Sequence, residues 1–396
     1  MPSKFIEGQY PLYIERGQGA YVWDEEGNAY IDYPCSLGAN LLGHAYPSVN
    51  QAIARQLEGG TLFTLPHKLE TELAEKIHKI IPCAEKIRFL KTGSEACSAA
   101  IKIARAYTKK DGIAYSGYHG WHEWYNCDTP KNAGIPDAYN FYINKFEYNN
   151  LESLRKILSI GNIGVVILEP YIYEEPKDHF LHKVIKLAHQ WGAVVVFDEV
   201  VTGFRTRKYS AQRFFGVNPD LSVFGKALGN GLPISFVCGR AKIMKVLEDK
   251  CFVSSTFGGE LLSITSALAV LDVLKKDNAI EHIWKMGTIL KSGYNAIAQH
   301  LEIDTKCLGY PCRTMFMFPT SEHKSLFWQE CIKRGVLFGY AQFINFSHGV
   351  GEISQTLKVI EDALKVVKHN WANPLKALRG KPATEVFRIV CTKEDR

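Results

Sequence analysis

The chain lacks a long apolar segment. None of its 396 residues lie in a run that approaches the length needed to span a bilayer, which is about 20 apolar residues for a helix. The first residues, MPSKFIEGQYPLY, also lack the apolar core of a signal peptide. These absences predict a cytoplasmic protein with no membrane partner.

Four further patterns are missing. The ten cysteines include no CxxC pair, which favours reduced thiols over a disulfide framework. Lysines and arginines are scattered and the net charge is only +6, so we expect no nucleic-acid partner. No GxGxxG follows an early strand, and Ala227 stands where GxxxxGK[ST] needs a hydroxyl. A nicotinamide dehydrogenase and a nucleotide hydrolase are therefore both disfavoured.

What is present predicts an α/β protein of two domains. Unalternated apolar runs are separated by helical periods, as expected for a mainly parallel sheet buried on both faces: KIRFL, GIAYS, GVVIL, AVVVF, LSVFG and ISFVCG. We assign residues 47–284 to a large domain and 285–396 to a C-terminal small domain. Residues 1–46, with a hairpin turn at Asp24 to Asn28, should contribute to the small domain.

One predicted helix is apolar nearly all round. It contains LLSITSALAVLDVL, directly after the segment that begins at Thr256. Such a helix must be buried in a core or in a subunit interface, and a homo-oligomer is therefore plausible.

Polar residues follow several of the apolar strands, where ligands of such sheets bind. Asp198 ends the run VVVFD, and a buried carboxylate there needs a cationic partner, in a structural salt bridge or in a bound pyridinium ring. Lys226 lies in a glycine-rich loop that a flat ligand could approach closely, although a surface lysine in a turn is an equally ordinary interpretation.

Two other loops carry candidate ligand-binding groups. Gly93 and Ser94 begin a helix, which suits an anion, although Ser94 could simply cap the helix. Tyr118 follows the strand GIAYS and could stack on a ring. His119 and His122 form an HxxH pair without an evident third ligand, so we expect no metal site.

Together these segments resemble the class III, or subgroup II, pyridoxal 5′-phosphate (PLP)-dependent aminotransferases, nearest to the glutamate-1-semialdehyde 2,1-aminomutase-like branch. The matching motifs occur in the family's order over nearly the whole chain: LKTGSEACSAAIKIARAY, SGYHGWHEW, VILEP, VVVFDEVVTGFR, FGKALGNGLP and SSTFGGELLSITSA. The resemblance implies PLP-dependent transferase fold type I, with a mainly parallel seven-stranded sheet between helices in the large domain and a smaller α+β domain.

The resemblance also implies a role for each matching residue. Lys226 would form a Schiff base with PLP, and Asp198 would pair with the pyridine nitrogen. Further cofactor contacts would come from Gly93, Ser94, Tyr118, His119, Glu169, Val200 and, across a homodimer interface, Thr256. The implied enzyme moves an amino group from an amino-acid donor to a carbonyl acceptor.

Departures from the family pattern bear on the substrate. Val336 to Ser354 contains neither Arg nor Lys, although many relatives clamp a carboxylate with an arginine there. Glu260 adds a carboxylate after TFGG, and Tyr171 to Glu175 replaces the aminomutases' Gly-Asn-rich segment. A sugar-like or nucleotide-linked aldehyde or ketone is our favoured acceptor. Alternatives are an aminomutase that transfers the amino group within one molecule and a PLP-binding protein without catalysis.

Overall fold

The structure, a computed structural model, describes residues 11–383. These residues form two compact units. Ser48–Lys275 is one of them, and the described residues up to Pro47 and from Lys276 onward form the other.

The first three strands belong to the second of these units. They are β1 (Ile14–Gln18), β2 (Tyr21–Asp24) and β3 (Ala29–Asp32), and they pair antiparallel in that order. The turn between β2 and β3 is held by the Asp24 carboxylate, which accepts the N–H groups of Glu26 and Asn28. Gly27 adopts a positive φ of 84°, a conformation that glycine reaches without steric cost.

A seven-stranded sheet organises Ser48–Lys275. Its strands are β4 (Lys86–Leu90), β5 (Gly112–Ser116), β6 (Ile143–Lys145), β7 (Ile163–Leu168), β8 (Val194–Asp198), β9 (Leu221–Phe224) and β10 (Ser235–Gly239). Their order across the sheet is β4-β10-β9-β8-β7-β5-β6. β10 runs antiparallel to both of its neighbours and the other pairs are parallel, which confirms the predicted mainly parallel sheet.

Helices cover both faces of this sheet, because its strands are apolar on both sides. In β7, Val165 and Ile167 belong to one core cluster, whereas Val166 and Leu168 belong to another. The helices of eight or more residues in this part of the chain are Pro47–Glu58, Lys68–Ile80, Gly93–Thr108, Leu151–Leu158, Phe180–Gln190 and Leu261–Lys276.

Leu261–Lys276, predicted to be buried, is buried along most of its length. In Gly93–Thr108, Ala96 is buried, whereas Tyr107 is 40% exposed near the end of the helix.

The C-terminal part of the described chain adds three long helices, Ala279–His300, Ser321–Ile332 and Val350–His369. It also adds the strands β11 (Lys306–Tyr310), β12 (Arg313–Met317), β13 (Val336–Leu337) and β14 (Gln342–Phe343). β13 pairs parallel with β3, which joins the N-terminal strands to C-terminal residues in one sheet, and β11, β12 and β14 form a separate sheet.

The nine cysteines between residues 11 and 383 are all buried thiols. Within the same range, no helix is both long and apolar enough to cross a membrane.

Candidate active site

The candidate residues lie at one edge of the seven-stranded sheet. Strands β4, β5, β7, β8 and β9 all point the same way, and their carboxyl ends therefore meet at this edge. The residues that end or follow these strands are Gly93, Ser94, Tyr118, His119, Glu169, Asp198, Val200 and Lys226.

Asp198, the last residue of β8, is the best-supported member of this group. It is 5% exposed. Its Oδ2 atom lies 2.8 Å from Nδ1 of the buried His119, and its Oδ1 atom accepts the N–H of Val200 at 3.1 Å. His119 Nε2 is buried and has no hydrogen-bond partner among the described residues. The carboxylate is thus held in a fixed orientation at the strand end.

Cys97 is a third neighbour of this carboxylate, and the sequence did not point to it. Its thiol donates to Asp198 Oδ2 at 3.4 Å, and burial together with the Asp198 charge raises the pKa of that thiol well above its usual value. The ligand atoms of Cys97, His119 and Asp198 lie within 4.8 Å of one another. The 2.8 Å separation of His119 and Asp198 is that of a direct hydrogen bond. We therefore interpret Cys97 and His119 as hydrogen-bond donors to the Asp198 carboxylate and not as metal ligands.

Gly93 and Ser94 begin the Gly93–Thr108 helix. Thr92 caps it: its hydroxyl accepts the N–H of Glu95, and its carbonyl accepts that of Ala96. The N–H groups of Gly93 and Ser94 therefore remain outside the helix's own hydrogen bonds. A Cβ atom at Gly93 would lie 2.8 Å from the Val200 side chain, so only glycine fits there without displacing Val200. The cap predicted for Ser94 is instead supplied by Thr92.

Tyr118 and Glu169 are joined directly. The N–H of Tyr118 donates to Glu169 Oε1 at 2.9 Å, and Glu169 is buried. The Tyr118 ring packs edge-on against Tyr125, with 5.6 Å between ring centroids. The hydrogen bond to Glu169 thus fixes the backbone at Tyr118, from which the ring projects.

Lys226 begins a short 3-10 helix, Lys226–Gly229, and is partly buried. Its φ of 43° lies in the left-handed region, which costs about 1–2 kcal/mol for a residue with a side chain. The fully buried Ala227 and Leu228 anchor the backbone directly after it. Lys226 follows β9, in which Val223 pairs with Asp198 of β8, so the two strand ends lie side by side. Strain of this kind persists where surrounding packing enforces it, often at functional sites.

Glu199 follows Asp198 but faces different partners. Its carboxylate accepts the N–H groups of Ala211 and Gln212 at the start of the Ala211–Phe215 helix, and the Thr202 hydroxyl also donates to it. Burial raises the pKa of Glu199 to about 7, against the lowering effect of these donors. Glu199 is therefore committed to a helix start.

Two groups that had suggested an unusual acceptor are also engaged structurally. Glu260 caps the Leu261–Lys276 helix, accepting the N–H groups of Leu262 and Ser263, and pairs with Lys91 at 3.0 Å. Tyr171 is fully buried, with its hydroxyl 2.6 Å from the Thr206 hydroxyl.

Thr256 is exposed, and within residues 11–383 no hydrogen bond links it to the Asp198 group. Its contact with the cofactor therefore stays a prediction. The sequence had assigned it a contact across a dimer interface.

Comparisons with known proteins show the family of the chain. Residues 5–341 match the family model described as aminotransferase class-III. The chain is 33% identical over 384 residues to a 3-aminobutyryl-CoA aminotransferase of Cloacimonas acidaminovorans, covering 93% of this chain and 92% of the relative. It is also 33% identical over 390 residues to a glutamate-1-semialdehyde 2,1-aminomutase of Methanothrix thermoacetophila, covering 90% of each.

A solved structure is similar over almost the whole chain. The FumI protein of Sphingopyxis sp. MTA144, in a PLP-bound form, superposes with a TM-score of 0.89 at 27% identity, covering 97% of this chain and 94% of that one.

Proposed function

Because the chain belongs to the class-III aminotransferase family, we propose that it moves an amino group from an amino-acid donor to a carbonyl acceptor, with Lys226 and Asp198 as catalytic residues. The cofactor of the family, and of the similar solved structures, is PLP. When bound, PLP supplies an electron sink that stabilises the negative charge left after a proton is removed next to the amino group.

The residues of this chain fit that cofactor. The uncommitted N–H groups of Gly93 and Ser94 suit its phosphate, with Gly93 held free of a side chain by Val200. The Tyr118 ring and the Val200 side chain offer apolar contact to a flat ring. His119 and Glu169 would act by orienting Asp198 and Tyr118, which they contact directly.

The observation that carries the proposal is the buried Asp198 carboxylate. Its Oδ2 atom already meets His119 and Cys97, whereas the only contact of Oδ1 described here is the Val200 N–H. Oδ1 thus keeps acceptor capacity for a cationic ring nitrogen. Lys226 follows β9, whose Val223 pairs with Asp198, and it would hold the cofactor's aldehyde carbon and later move the proton at its Nζ atom.

For the acceptor, we propose a nucleotide-linked or sugar-like aldehyde or ketone. The main support is the lack of Arg and Lys between Val336 and Ser354, which argues against an acceptor recognised by a free carboxylate there. The 3-aminobutyryl-CoA aminotransferase relative favours the nucleotide-linked class, because coenzyme A contains an adenine nucleotide and its thioester has no free carboxylate. Since Glu260 and Tyr171 are engaged elsewhere, they no longer support a sugar.

A second candidate is intramolecular amino transfer, as in the aminomutase relative of equal identity. The two functions differ in their need for an external donor. With a ¹⁵N-labelled amino-acid donor, we expect the label in the product of a nucleotide-linked acceptor such as a 3-oxoacyl-CoA. Turnover that requires no donor would favour the aminomutase, and reaction with 2-oxoglutarate alone would contradict the proposed acceptor.

We also propose a cytoplasmic homodimer. Apolar side chains are exposed on the larger unit, notably Leu65 and Phe257, and such surfaces commonly mark subunit contacts. The reduced thiols fit the cytoplasm. Light scattering should give twice the chain mass, and a fully active monomer would contradict the dimer.

Two experiments test the catalytic assignment, one on Lys226 and one on Asp198. Borohydride reduction and peptide mapping should place the cofactor on Lys226 and on no other lysine. In PLP-loaded Asp198→Ala, proton removal from the donor should slow by at least about 10²-fold, because a neutral ring nitrogen accepts the developing charge poorly. Near-normal rates in the loaded variant would refute the role of Asp198.

A further inference from the structure

The loop from Gly117 to His122 carries both Tyr118 and His119, and it is anchored at its first end by Glu169. The Glu169 carboxylate accepts the Tyr118 N–H at 2.9 Å. Gly117, with φ of 107°, packs against the same side chain. Because Glu169 directly follows β7, this end of the loop is fixed to the carboxyl end of that strand.

The other end of the loop is anchored on the Gly93–Thr108 helix. Gly120 has φ of 105°, and a Cβ atom there would collide with the Ser94 side chain, so the loop backbone lies directly on the first turn of that helix. One turn later, Ser98 Oγ lies 2.6 Å from His122 Nδ1 and 2.9 Å from Trp124 Nε1. Ser94 and Ser98 share a helix face because they are four residues apart.

The hydrogen-bonding roles at Ser98 follow from chemistry. An indole N–H can only donate, so the Ser98 oxygen accepts from Trp124. The Ser98 hydroxyl proton is then available to Nδ1 of a neutral His122. Trp124 is mostly buried, and its N–H would otherwise lose a partner away from water.

We propose that Ser98 and His122 are positioning residues for the cofactor. They hold the loop that presents Tyr118 and His119 against the same helix whose first turn would bind the phosphate. This inference rests on the proposed function, since it assigns the loop a role around PLP. Cys97, the residue next to Ser98, contacts Asp198 from the same helix turn. The Gly93–Thr108 helix would therefore support the cofactor both at its ring and at its phosphate.

The loop contact should be visible in PLP affinity. Ser98→Ala removes the acceptor for Trp124 and the donor for His122, and loss of two hydrogen bonds should weaken PLP binding about tenfold. His122→Ala removes only one of these hydrogen bonds and should weaken PLP binding less. The double variant should be little worse than Ser98→Ala, because Ser98→Ala already removes the contact with His122.

Conservative replacements separate positioning from simple space filling. Asparagine places a polar atom near the position of histidine Nδ1, whereas glutamine places it near Nε2. His122→Asn should therefore keep PLP affinity close to that of the unaltered protein, and His122→Gln should lose it as His122→Ala does. The matched controls are His182→Asn and His182→Gln on the exposed His182, which should change nothing. Equal affinities for the two His122 variants would overturn the proposal.

A readout without cofactor tests the contact itself. In PLP-free protein, solvent exchange of the Trp124 indole N–H, assigned with Trp124→Phe, should accelerate in Ser98→Ala and in no His182 variant. Unchanged exchange would refute the hydrogen bond, and accelerated exchange with unchanged PLP affinity would refute positioning. Neither result depends on where PLP attaches, whereas attachment away from Lys226 would refute the proposed function instead.

Discussion

Two helices of the larger unit, Ser48–Lys275, begin near residues that the sequence had predicted to contact the cofactor, and they begin differently. The Gly93–Thr108 helix is capped by Thr92, and the Glu95 carboxylate of its first turn accepts the N–H groups of Lys91 and Thr92, so the N–H groups of Gly93 and Ser94 stay outside these hydrogen bonds. At the Leu261–Lys276 helix, the Glu260 carboxylate already occupies the start and accepts the N–H groups of Leu262 and Ser263. A helix start is available to an external anion only where the chain leaves N–H groups of the first turn unpaired.

The largest expected effect comes from making the first helix resemble the second. Ser94→Glu would place a carboxylate at the open start, where it would repel a bound phosphate. We expect PLP affinity to fall at least about hundredfold. Equilibrium titration followed by absorbance measures it, with Ser94→Ala as the control that removes only a hydroxyl. If Ser94→Glu bound PLP as tightly as Ser94→Ala, this start would not be the phosphate site.

A smaller effect should follow from Thr256→Ala, in the loop before the second helix. If Thr256 of one subunit donates to the phosphate in the other, its loss should weaken PLP binding about tenfold. This result would sharpen the comparison, because the loop before the Leu261–Lys276 helix would then contact the phosphate although the start of that helix is occupied by Glu260. Unchanged affinity in a dimeric Thr256→Ala would remove this residue from the site.

Glu260→Ala should affect stability but not PLP binding. The variant loses a helix cap and leaves Lys91 without its carboxylate partner, which together should cost about 1–2 kcal/mol of unfolding free energy. Urea unfolding with and without PLP measures both quantities. A large loss of PLP affinity at unchanged stability would mean that Glu260 belongs to the site after all.

The smallest effect is the pH dependence of this cap. Partial burial tends to raise the pKa of the Glu260 carboxyl, but hydrogen bonds from Ser263 and Lys91 outweigh it and hold the pKa below its usual value. Because the folded pKa is the lower one, the carboxylate contributes stability above the unfolded pKa. That contribution is lost as pH falls through the folded pKa.

Unfolding free energies of the unaltered protein and Glu260→Gln should therefore converge as the solution becomes acidic. A difference that stays constant from neutral to strongly acidic pH would show that the charge of Glu260 contributes little.

Local sequence pattern predicted most of the sheet and the residues at its edge. The run GIAYS coincides with β5, because a strand buried on both faces needs continuous apolar residues. The run KIRFL coincides with β4, an edge strand in which Lys86 and Arg88 are exposed. Strand β6, with three residues at the sheet edge, carries too little apolar pattern and was missed.

The partners around the site were harder to predict because they are distant in sequence. Cys97 and Asp198 are 101 positions apart, so no local period connects them. The available signal for Cys97 and Ser98 was their spacing, because each lies four positions along the helix from Gly93 or Ser94 and therefore on the same face. Glu260 shows the opposite error, since a capping glutamate and a substrate-binding glutamate look the same in sequence until the helix start is located.

The reactivity of the buried cysteines can show where the protein opens locally. A thiol reagent can reach Cys97 or Cys238 only when the larger unit opens locally, and Cys307 or Cys331 only when the smaller unit does. Burial raises the pKa of the Cys331 thiol well above its usual value, so little reactive thiolate forms while the residue stays enclosed. Timed alkylation followed by peptide mass measurement would therefore show which unit opens first and whether PLP slows that opening.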